Sequence, residues 1–320
     1  MLDGKGEHLA LLRQGAKTWN RHRVEGCESP VDLSEIDLED TNLGGIYFQG
    51  VNLSRANFAG AILDKANLDR ADLSKASLEA ASLTRAYLSQ SLLEEAVLFK
   101  ANLHGANFMG ACLKKADLQL AKLYSVNLTA ADLEEAIFWK STLGKILFRR
   151  ANLNSAIFQE TKLWQVDLQE ADLQGVYFSQ SNLAEVNFQR ANLMKSLFKK
   201  TQFWRTKLEN AYLVGAYFKG VFFSKTNLTA ACLLEANLRS VVFNDVSLAG
   251  ANFAGASLEG VTFNRVDLTD TNFTGASFEN IIFRNTNFDK TEGLDRCLNR
   301  GGGGCRKGND FCEVRYSFKL

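Results

Sequence analysis

Residues 101–110 read ANLHGANFMG, and this stretch shows twice the unit that decides the fold. Each half begins with a small residue, continues with a polar residue and places a large apolar anchor third. The same unit recurs at every fifth position from Leu33 to Phe288, giving 52 consecutive anchors, of which 33 are Leu and 19 are Phe. Because the phase never slips, one structural rule must govern most of the chain.

A period of five fits neither regular element of secondary structure. On an α-helix, five residues advance by about 500°, so successive anchors would spiral around the axis. On a continuous strand, an odd period would send successive anchors to opposite faces. The chain must therefore turn once per unit, so that each short extended piece points its small residue and its anchor inward. Stacked turns of this kind predict a β-solenoid whose coils cover each other's cores.

The pattern, seen again in Ala171-Asp172-Leu173, resembles the A-[D/N]-L-x-x repeat of the pentapeptide repeat family. The resemblance covers residues 31–290 and implies an all-β fold, a right-handed quadrilateral β-helix with four units per coil. About 13 coils are then expected, stacked about 4.8 Å apart. The residues alone leave three or four sides open, since nine Phe anchor pairs lie four units apart, four pairs lie three units apart and ten pairs lie two units apart. Four-sided coils predict two ladders of stacked anchors: Phe138, Phe158, Phe178, Phe198 and Phe218, and beside it Phe203, Phe223, Phe243, Phe263 and Phe283.

The repeat divides the chain into three parts. Residues 1–30 are expected to form an N-terminal cap, in which residues 7–24 make one amphipathic helix over the first coil; a basic helix for a membrane or a partner is the alternative. This segment resembles the opening helix of cyanobacterial pentapeptide repeat proteins. Residues 31–292 are the predicted β-helix. Residues 293–320 are expected to be a mobile tail, within which alternating apolar residues indicate a strand closing the last coil.

Composition excludes several classes of function. The formal net charge of +1 disfavours bulk electrostatic binding to nucleic acid or to anionic membrane. No apolar run reaches the roughly 18 residues of a membrane span, and the first residues lack an apolar signal core, so a cytoplasmic protein is expected. Six cysteines do not indicate a disulfide framework. Cys297, Cys305 and Cys312 are not spaced as zinc ligands usually are, so neither a metal nor a cofactor is predicted.

Catalysis lacks a candidate site. The histidines are His8, His22 and His104, and no phosphate-binding glycine loop or nucleophile elbow is present. The many carboxylates and amides fall before the anchors, where Asn or Asp occupies 24 of 52 positions and supports turns. An axis filled by Leu and Phe leaves no deep pocket for a small-molecule substrate. A non-enzyme is therefore predicted.

Two functions compete for such a surface. One is a protein-binding scaffold or regulatory module, whose partner and oligomeric state the sequence does not identify. The alternative is a DNA mimic that modulates a type II topoisomerase, which the family resemblance also implies. Residues 31–292 carry 29 acidic and 26 basic residues, whereas duplex DNA carries one charge per about 1.7 Å. This near-neutral balance disfavours the mimic. A structural protein without a fixed partner is a third class left open.

One outward column is rich in aromatic residues. Positions that follow an anchor point outward, and on a four-sided coil they align at every fourth unit. The aromatic residues at such positions, and the basic residues beside them, form the predicted partner-binding site: Tyr124, Trp164, Trp204, Lys145, Arg205 and Lys225. The alternative is that the aromatic rings lie flat and only cover the walls of the solenoid.

Overall fold

The computed structural model describes residues 4–25, 31–294 and 312–314. The chain forms two compact units, Met1–Ile157 and Phe158–Leu320. Most of the predicted C-terminal tail, including Cys297 and Cys305, lies outside the described residues, as does the junction at residues 26–30.

Each five-residue unit turns the chain at its fifth residue, which adopts a left-handed backbone conformation. Values of φ at these corners include 57° at Lys65, 49° at Arg205 and 70° at Gly275. Side chains other than glycine disfavour this region, so each corner needs a compensating contact. That contact comes from the next coil: the Lys65 amide donates to the carbonyl of Thr84 at 2.9 Å. The corner is therefore stabilised by stacking, and an isolated coil would lack this support.

Stacked coils are in register at every fourth pentapeptide. Asp32 forms a parallel bridge with Asn52, which in turn forms one with Asp72. The anchor amides follow the same stacking, because Leu33 donates to the Asn52 carbonyl at 2.7 Å. Four pentapeptides per coil are therefore confirmed, and with them the quadrilateral β-helix.

The regular elements are two helices and many short strands. The helices are α1 (Gly4–Arg13) and α2 (Ala16–Val24). The strands are β1 (Lys122–Tyr124), β2 (Thr142–Gly144), β3 (Ile157–Gln159), β4 (Lys162–Trp164), β5 (Tyr177–Ser179), β6 (Asn182–Ala184), β7 (Leu197–Lys199), β8 (Gln202–Trp204), β9 (Tyr217–Lys219), β10 (Phe222–Ser224), β11 (Asn237–Arg239), β12 (Val242–Ser247), β13 (Ser257–Glu259), β14 (Thr262–Asp267), β15 (Ser277–Glu279), β16 (Ile281–Arg284) and β17 (Cys312–Val314).

The strands form parallel sheets along the sides of the coils. In the first unit β1 pairs with β2, and most other contacts between coils there are single bridges. In the second unit one sheet has the order β4-β6-β8-β10-β12-β14-β16-β17, and another has the order β15-β13-β11-β9-β7-β5. Among the strands of these two sheets, only β17 runs antiparallel to its neighbour, β16. The predicted strand in the C-terminal tail is thus confirmed for Cys312–Val314.

Anchors and small residues fill the interior, as predicted. Nearly all anchors and all the alanines of the small slot in the described repeat are buried, whereas the final anchor, Phe288, is only half-buried. In the second unit the predicted ladders form from Phe158 to Phe218 and from Phe203 to Phe283, with Phe178 and Phe198 rings 5.4 Å apart and Phe203 and Phe223 rings 4.5 Å apart. These parallel stacked rings supply dispersion contacts along the core of the unit.

The N-terminal segment forms two helices, so the prediction of one continuous helix over residues 7–24 is wrong. The chain breaks at Gly15, whose φ of 97° does not suit a helix. The second helix, α2, covers the first coil through Trp19, which is fully buried. The Trp19 indole nitrogen donates to the Tyr47 carbonyl at 2.7 Å, and its ring packs edge-on against Phe48 at 5.5 Å. Neither helix is long and apolar enough to cross a membrane, and the other described residues contain no such helix.

Polar residues before the anchors support the turns, as predicted. The Asn52 side-chain oxygen accepts a hydrogen bond from the Ser54 amide at 3.0 Å, and many other Asn and Asp residues repeat this contact. Neighbouring coils are also joined, since the Asn192 amide donates to the Asp172 carboxylate at 2.8 Å. These groups are therefore occupied with structural contacts.

Candidate interaction surface

Two exposed tryptophans lie on one sheet of the second unit. Trp164 ends β4 and Trp204 ends β8, and each is in register with Ala184 on the strand between them. The two tryptophans are thus two strands apart, which corresponds to about 10 Å. They expose 37% and 41% of their surface. The strand between them therefore contributes only the small side chain of Ala184 at this level.

An ion pair flanks these tryptophans. Arg205 follows Trp204, and its guanidinium carbon lies 4.4 Å from the centre of the Trp204 ring. One Arg205 nitrogen lies 3.9 Å from the Glu185 carboxylate, which also accepts a hydrogen bond from Gln165 at 3.0 Å. Arg205 is therefore held against the indole face by a cation–π contact and by an exposed ion pair.

Lys225 occupies the corner one coil after Arg205 and is exposed. Its charge acts on Asp245, at the corner of the following coil. Hydrogen bonding from Arg265 holds the pKa of the Asp245 carboxyl below its usual value, and the nearby charges of Arg265 and Lys225 act in the same direction. This corner column thus carries both signs of charge, with Arg205 and Lys225 lying between the carboxylates of Glu185 and Asp245.

Tyr124 and Lys145 come together in the first unit. Tyr124 is half-buried and stacks on His104 with ring centres 5.1 Å apart and planes 2° apart. The Lys145 ammonium lies 5.6 Å from the Tyr124 ring centre. Hence Tyr124 is packed between neighbours more tightly than its outward position suggested, and His104 belongs to an aromatic stack.

Two exposed apolar residues of the second unit were missed by the sequence reasoning. Phe222 exposes 41% of its surface and Leu197 exposes 36%. Both occupy the slot before an anchor, where Asn or Asp is common, and this break in the pattern was the available signal. Phe222 is in register with Gln202, on the strand that carries Trp204.

The described residues give little basis for other chemistry. They contain no group of three or more metal-ligating side chains. Cys112 and Cys232 are half-buried free thiols. The His8 and His22 rings lie 5.9 Å apart beside Trp19, and burial, followed by the charges of His22 and Arg23, lowers the pKa of His8. This pair belongs to the N-terminal cap, with His8 on α1 and His22 on α2.

Sequence models of the family match most of the repeat. The pentapeptide repeat region model matches residues 196–273. The pentapeptide repeats (8 copies) model matches more than half of the chain, at residues 32–68, 52–90, 76–114, 101–139, 165–199 and 263–292. A comparison with curated protein sequences found no significant match.

Several solved structures are similar to this chain. HetL from Nostoc sp. strain PCC 7120, a pentapeptide repeat protein involved in regulating heterocyst differentiation, is 23% identical, with 80% of this chain and 93% of HetL covered and a TM-score of 0.30. Rfr23 from Cyanothece 51142 is 33% identical, with 38% and 94% covered and a TM-score of 0.22. One structure of QnrB1, a plasmid-mediated fluoroquinolone resistance protein, is 18% identical, with 49% and 93% covered and a TM-score of 0.27.

All three TM-scores lie below 0.5, so the assignment rests on the sequence models and on the observed coil. The models match more than half of the chain, and the coil has the four-unit repeat that their pattern implies. The chain belongs to the pentapeptide repeat family.

Proposed function

We propose that this protein is a non-catalytic scaffold that binds a protein partner through side chains displayed on its β-helix. The exposed pair Trp164 and Trp204 carries this proposal. Large aromatic residues gain most by burial, and this chain offers buried positions at every fifth residue. Placing two tryptophans on the outer surface gives up that gain. Trp, Tyr and Arg are also the residue types that dominate binding energies at protein interfaces.

The contact set in the second unit is Trp164, Trp204, Arg205 and Lys225. In this proposal the indoles receive an apolar side chain of the partner over Ala184. The two basic residues attract carboxylates and contribute more to the association rate than to the affinity. Tyr124 and Lys145 form a second, separate contact set in the first unit. The proposed setting of this interaction is the cytoplasm.

The test is a capture experiment with three forms of the protein. The three forms are wild type, the double variant Trp164→Ser/Trp204→Ser and the control Tyr212→Ser. Each is immobilised and exposed to an extract of the native cell. Tyr212 is 54% exposed on another side of the second unit. We expect wild type and control to capture the same protein, which the double variant fails to capture. The captured protein is then purified, and its direct binding to each form is measured.

Thermal melting shows whether a loss of capture reflects lost contacts or lost folding. Since both indoles are partly exposed, the double variant should melt within a few degrees of wild type, about 3 °C or less. A large drop in melting temperature would show that the tryptophans hold the wall together. Capture that survives the double substitution would place the partner elsewhere. Inhibition of a purified type II topoisomerase by all three forms would support the DNA-mimicking alternative instead.

A further inference from the structure

Basic residues are concentrated in one segment of the second unit, which we call the basic band. Residues 190–225 hold eight basic residues and one acidic residue: Arg190, Lys195, Lys199, Lys200, Arg205, Lys207, Lys219, Lys225 and Glu209. The flanking segments reverse this balance, with five acidic and one basic residue in 158–189 and eight acidic and four basic residues in 226–292. The near-zero net charge of the chain therefore hides a local concentration of positive charge.

Three of these lysines meet at one corner of two adjacent coils. Lys199 on β7 is in register with Lys219 on β9, which places the two about 4.8 Å apart. Lys200 follows at the corner itself, and its amide donates to the Lys219 carbonyl at 2.8 Å. The Lys200 stem lies over Gly220, since a methyl group built there would be 3.8 Å from Lys200 Cγ. We call Lys199, Lys200 and Lys219 the lysine corner.

The lysine corner has no internal counter-charge. All three side chains are exposed, and none forms an ion pair with a carboxylate in residues 4–25 or 31–294. Two arginines of the same band do pair, Arg190 with Glu170 and Arg205 with Glu185. Like charges in register on neighbouring strands are unfavourable for folding. Their placement is explained if a ligand supplies the missing negative charge.

Partly exposed apolar side chains lie on both sides of the lysine corner. Leu197, which is exposed, and Tyr217, which is half-buried, are paired in register on β7 and β9, two residues before the lysines. Phe222 lies beyond the corner on β10. A ligand that neutralises the lysines therefore also meets apolar surface within a few residues on either side. Small inorganic anions would leave that surface uncovered.

We propose that the lysine corner binds a short acidic segment of a partner polypeptide, in which an apolar side chain stands beside the carboxylates. The carboxylates contact Lys199, Lys200 and Lys219, and the apolar side chain packs against Leu197 and Tyr217 or against Phe222. This inference rests on the proposed scaffold function, but it assigns binding to side chains other than the exposed tryptophans.

The length of the basic column favours a short peptide over a nucleic acid. Along the strands that carry Lys199 and Lys219, the next residue in register is Arg239, which already pairs with Glu259 at 3.4 Å. Glu259 is followed in register by Glu279. A long polyanion that follows this column would reach these carboxylates after about three strands, or roughly 15 Å. An acidic peptide that crosses the corner along the strand direction avoids them.

The experiment measures binding of a defined probe by fluorescence anisotropy. The probe is a fluorescein-labelled peptide of about ten residues, long enough to cross the corner, with aspartates around a central phenylalanine. The test variant is Lys199→Glu/Lys200→Glu/Lys219→Glu. The control variant, Lys195→Glu/Lys207→Glu/Lys290→Glu, changes the net charge equally with three exposed lysines outside the corner. Glutamate is compatible with the corner conformation, because Glu160 and Glu185 adopt it.

We expect the test variant to bind the peptide at least about tenfold more weakly, and the control variant to stay within about twofold of wild type. A second variant with three Lys→Gln changes, which avoids adding negative charge, should show a smaller loss in the same direction. Circular dichroism and melting curves must match among all variants. An analogue of the peptide with asparagine for aspartate should bind weakly to every form.

Three outcomes overturn the inference. One is absence of peptide binding to wild type, or equal losses in the test and control variants. Another is binding that the lysine corner variants retain and Trp164→Ser/Trp204→Ser loses, which would leave the proposed scaffold function standing without this site. The third is corner-dependent binding of a single-stranded oligonucleotide, or of vesicles with anionic lipid, in preference to the peptide.

Discussion

Phe222 and Phe223 are adjacent phenylalanines whose environments differ as much as the fold allows. Phe223 is 1% exposed and stacks between Phe203 at 4.5 Å and Phe243 at 4.9 Å. Phe222 points the other way and is 41% exposed. Replacing each in turn with alanine applies the same chemical change one residue apart, on the same strand. Because both substitutions are Phe→Ala, the pair compares an inward position with an outward position under the same chemical change.

The expected magnitudes differ severalfold. Burying a phenylalanine removes about 200 Å² from water, which is worth about 5 kcal/mol at about 25 cal/mol/Å². Alanine keeps part of this gain, and Phe→Ala changes in cores cost about 3–5 kcal/mol including the cavity. Phe223→Ala should therefore lower the free energy of unfolding by about 3–5 kcal/mol. Phe222→Ala leaves no cavity and loses mainly strand preference, so about 1 kcal/mol is expected.

Urea titration followed by far-ultraviolet circular dichroism measures both losses. Because coils interact mainly with their neighbours, Phe223→Ala is also expected to weaken hydrogen-exchange protection near Phe203 and Phe243 first. Equal losses for the two variants, or a larger loss for Phe222→Ala, would refute the alternation of inward and outward residues on which the fold and both proposed sites depend.

Three further outcomes test the ends of the repeat and its corners. Trp19→Ala should remove protection from the amides of the first coil, by limited proteolysis or hydrogen exchange, whereas the exposed Arg21→Ala should not. Because the pKa of His8 is lowered in the folded cap, the unfolded state binds the proton more tightly. The stability of the cap should then be full above the unfolded pKa of 6.5 and fall as the pH drops below it. Hydrogen exchange in α2, corrected for the intrinsic exchange rate, should become faster at low pH, and His8→Leu should abolish this pH dependence. Gly293→Ala should lower the melting temperature because its methyl group would lie 2.6 Å from the main chain of the preceding coil. Gly250→Ala also places a methyl group on a left-handed residue but meets open space, so its decrease should be smaller.

The core of this protein is predictable because it obeys one strict periodicity. Anchors such as Phe178 had to point inward, and no regular helix or strand allows that at a period of five. The ladder from Phe158 to Phe218 follows once each coil holds four pentapeptides. The number of sides per coil could not be predicted in the same way, since the anchor spacings fitted more than one choice. Four sides followed from the family resemblance. Backbone pairing between coils decides it.

The left-handed conformations at the corners cannot be predicted from residue preference. Arg205 and Lys200 adopt left-handed conformations that are normally associated with glycine or asparagine. Nothing in their identity indicates this, because the stabilising hydrogen bonds come from the next coil. The break at Gly15, by contrast, was visible as a glycine within the helical pattern, and the apolar periodicity across it was given too much weight.

The candidate surfaces were predictable only as columns of residue types. The sequence placed Trp164 and Trp204 outward, but not the ion pair that holds Arg205 on the indole, since that depends on side-chain conformation. Lys199 and Lys219 lie 20 residues apart and so fall in one column of a four-sided coil, but this spacing does not show that Lys200 joins them across the corner. Contacts along a column follow from the four-unit period of the coil. Contacts around a corner depend on the turn geometry, which a single pentapeptide does not encode.

This division assigns stability and recognition to different positions of the pentapeptide. The small slot and the anchor must fit the interior, so they are restricted to a few residue types, as Ala191 and Leu193 illustrate. The remaining positions accept glutamate, lysine, tryptophan or phenylalanine with little effect on the core. A change there alters one level of one column and leaves the neighbouring coils in register. Local surfaces such as the lysine corner can therefore differ from the average charge of the chain, and net charge alone is a poor guide to the kind of partner that such a surface would fit.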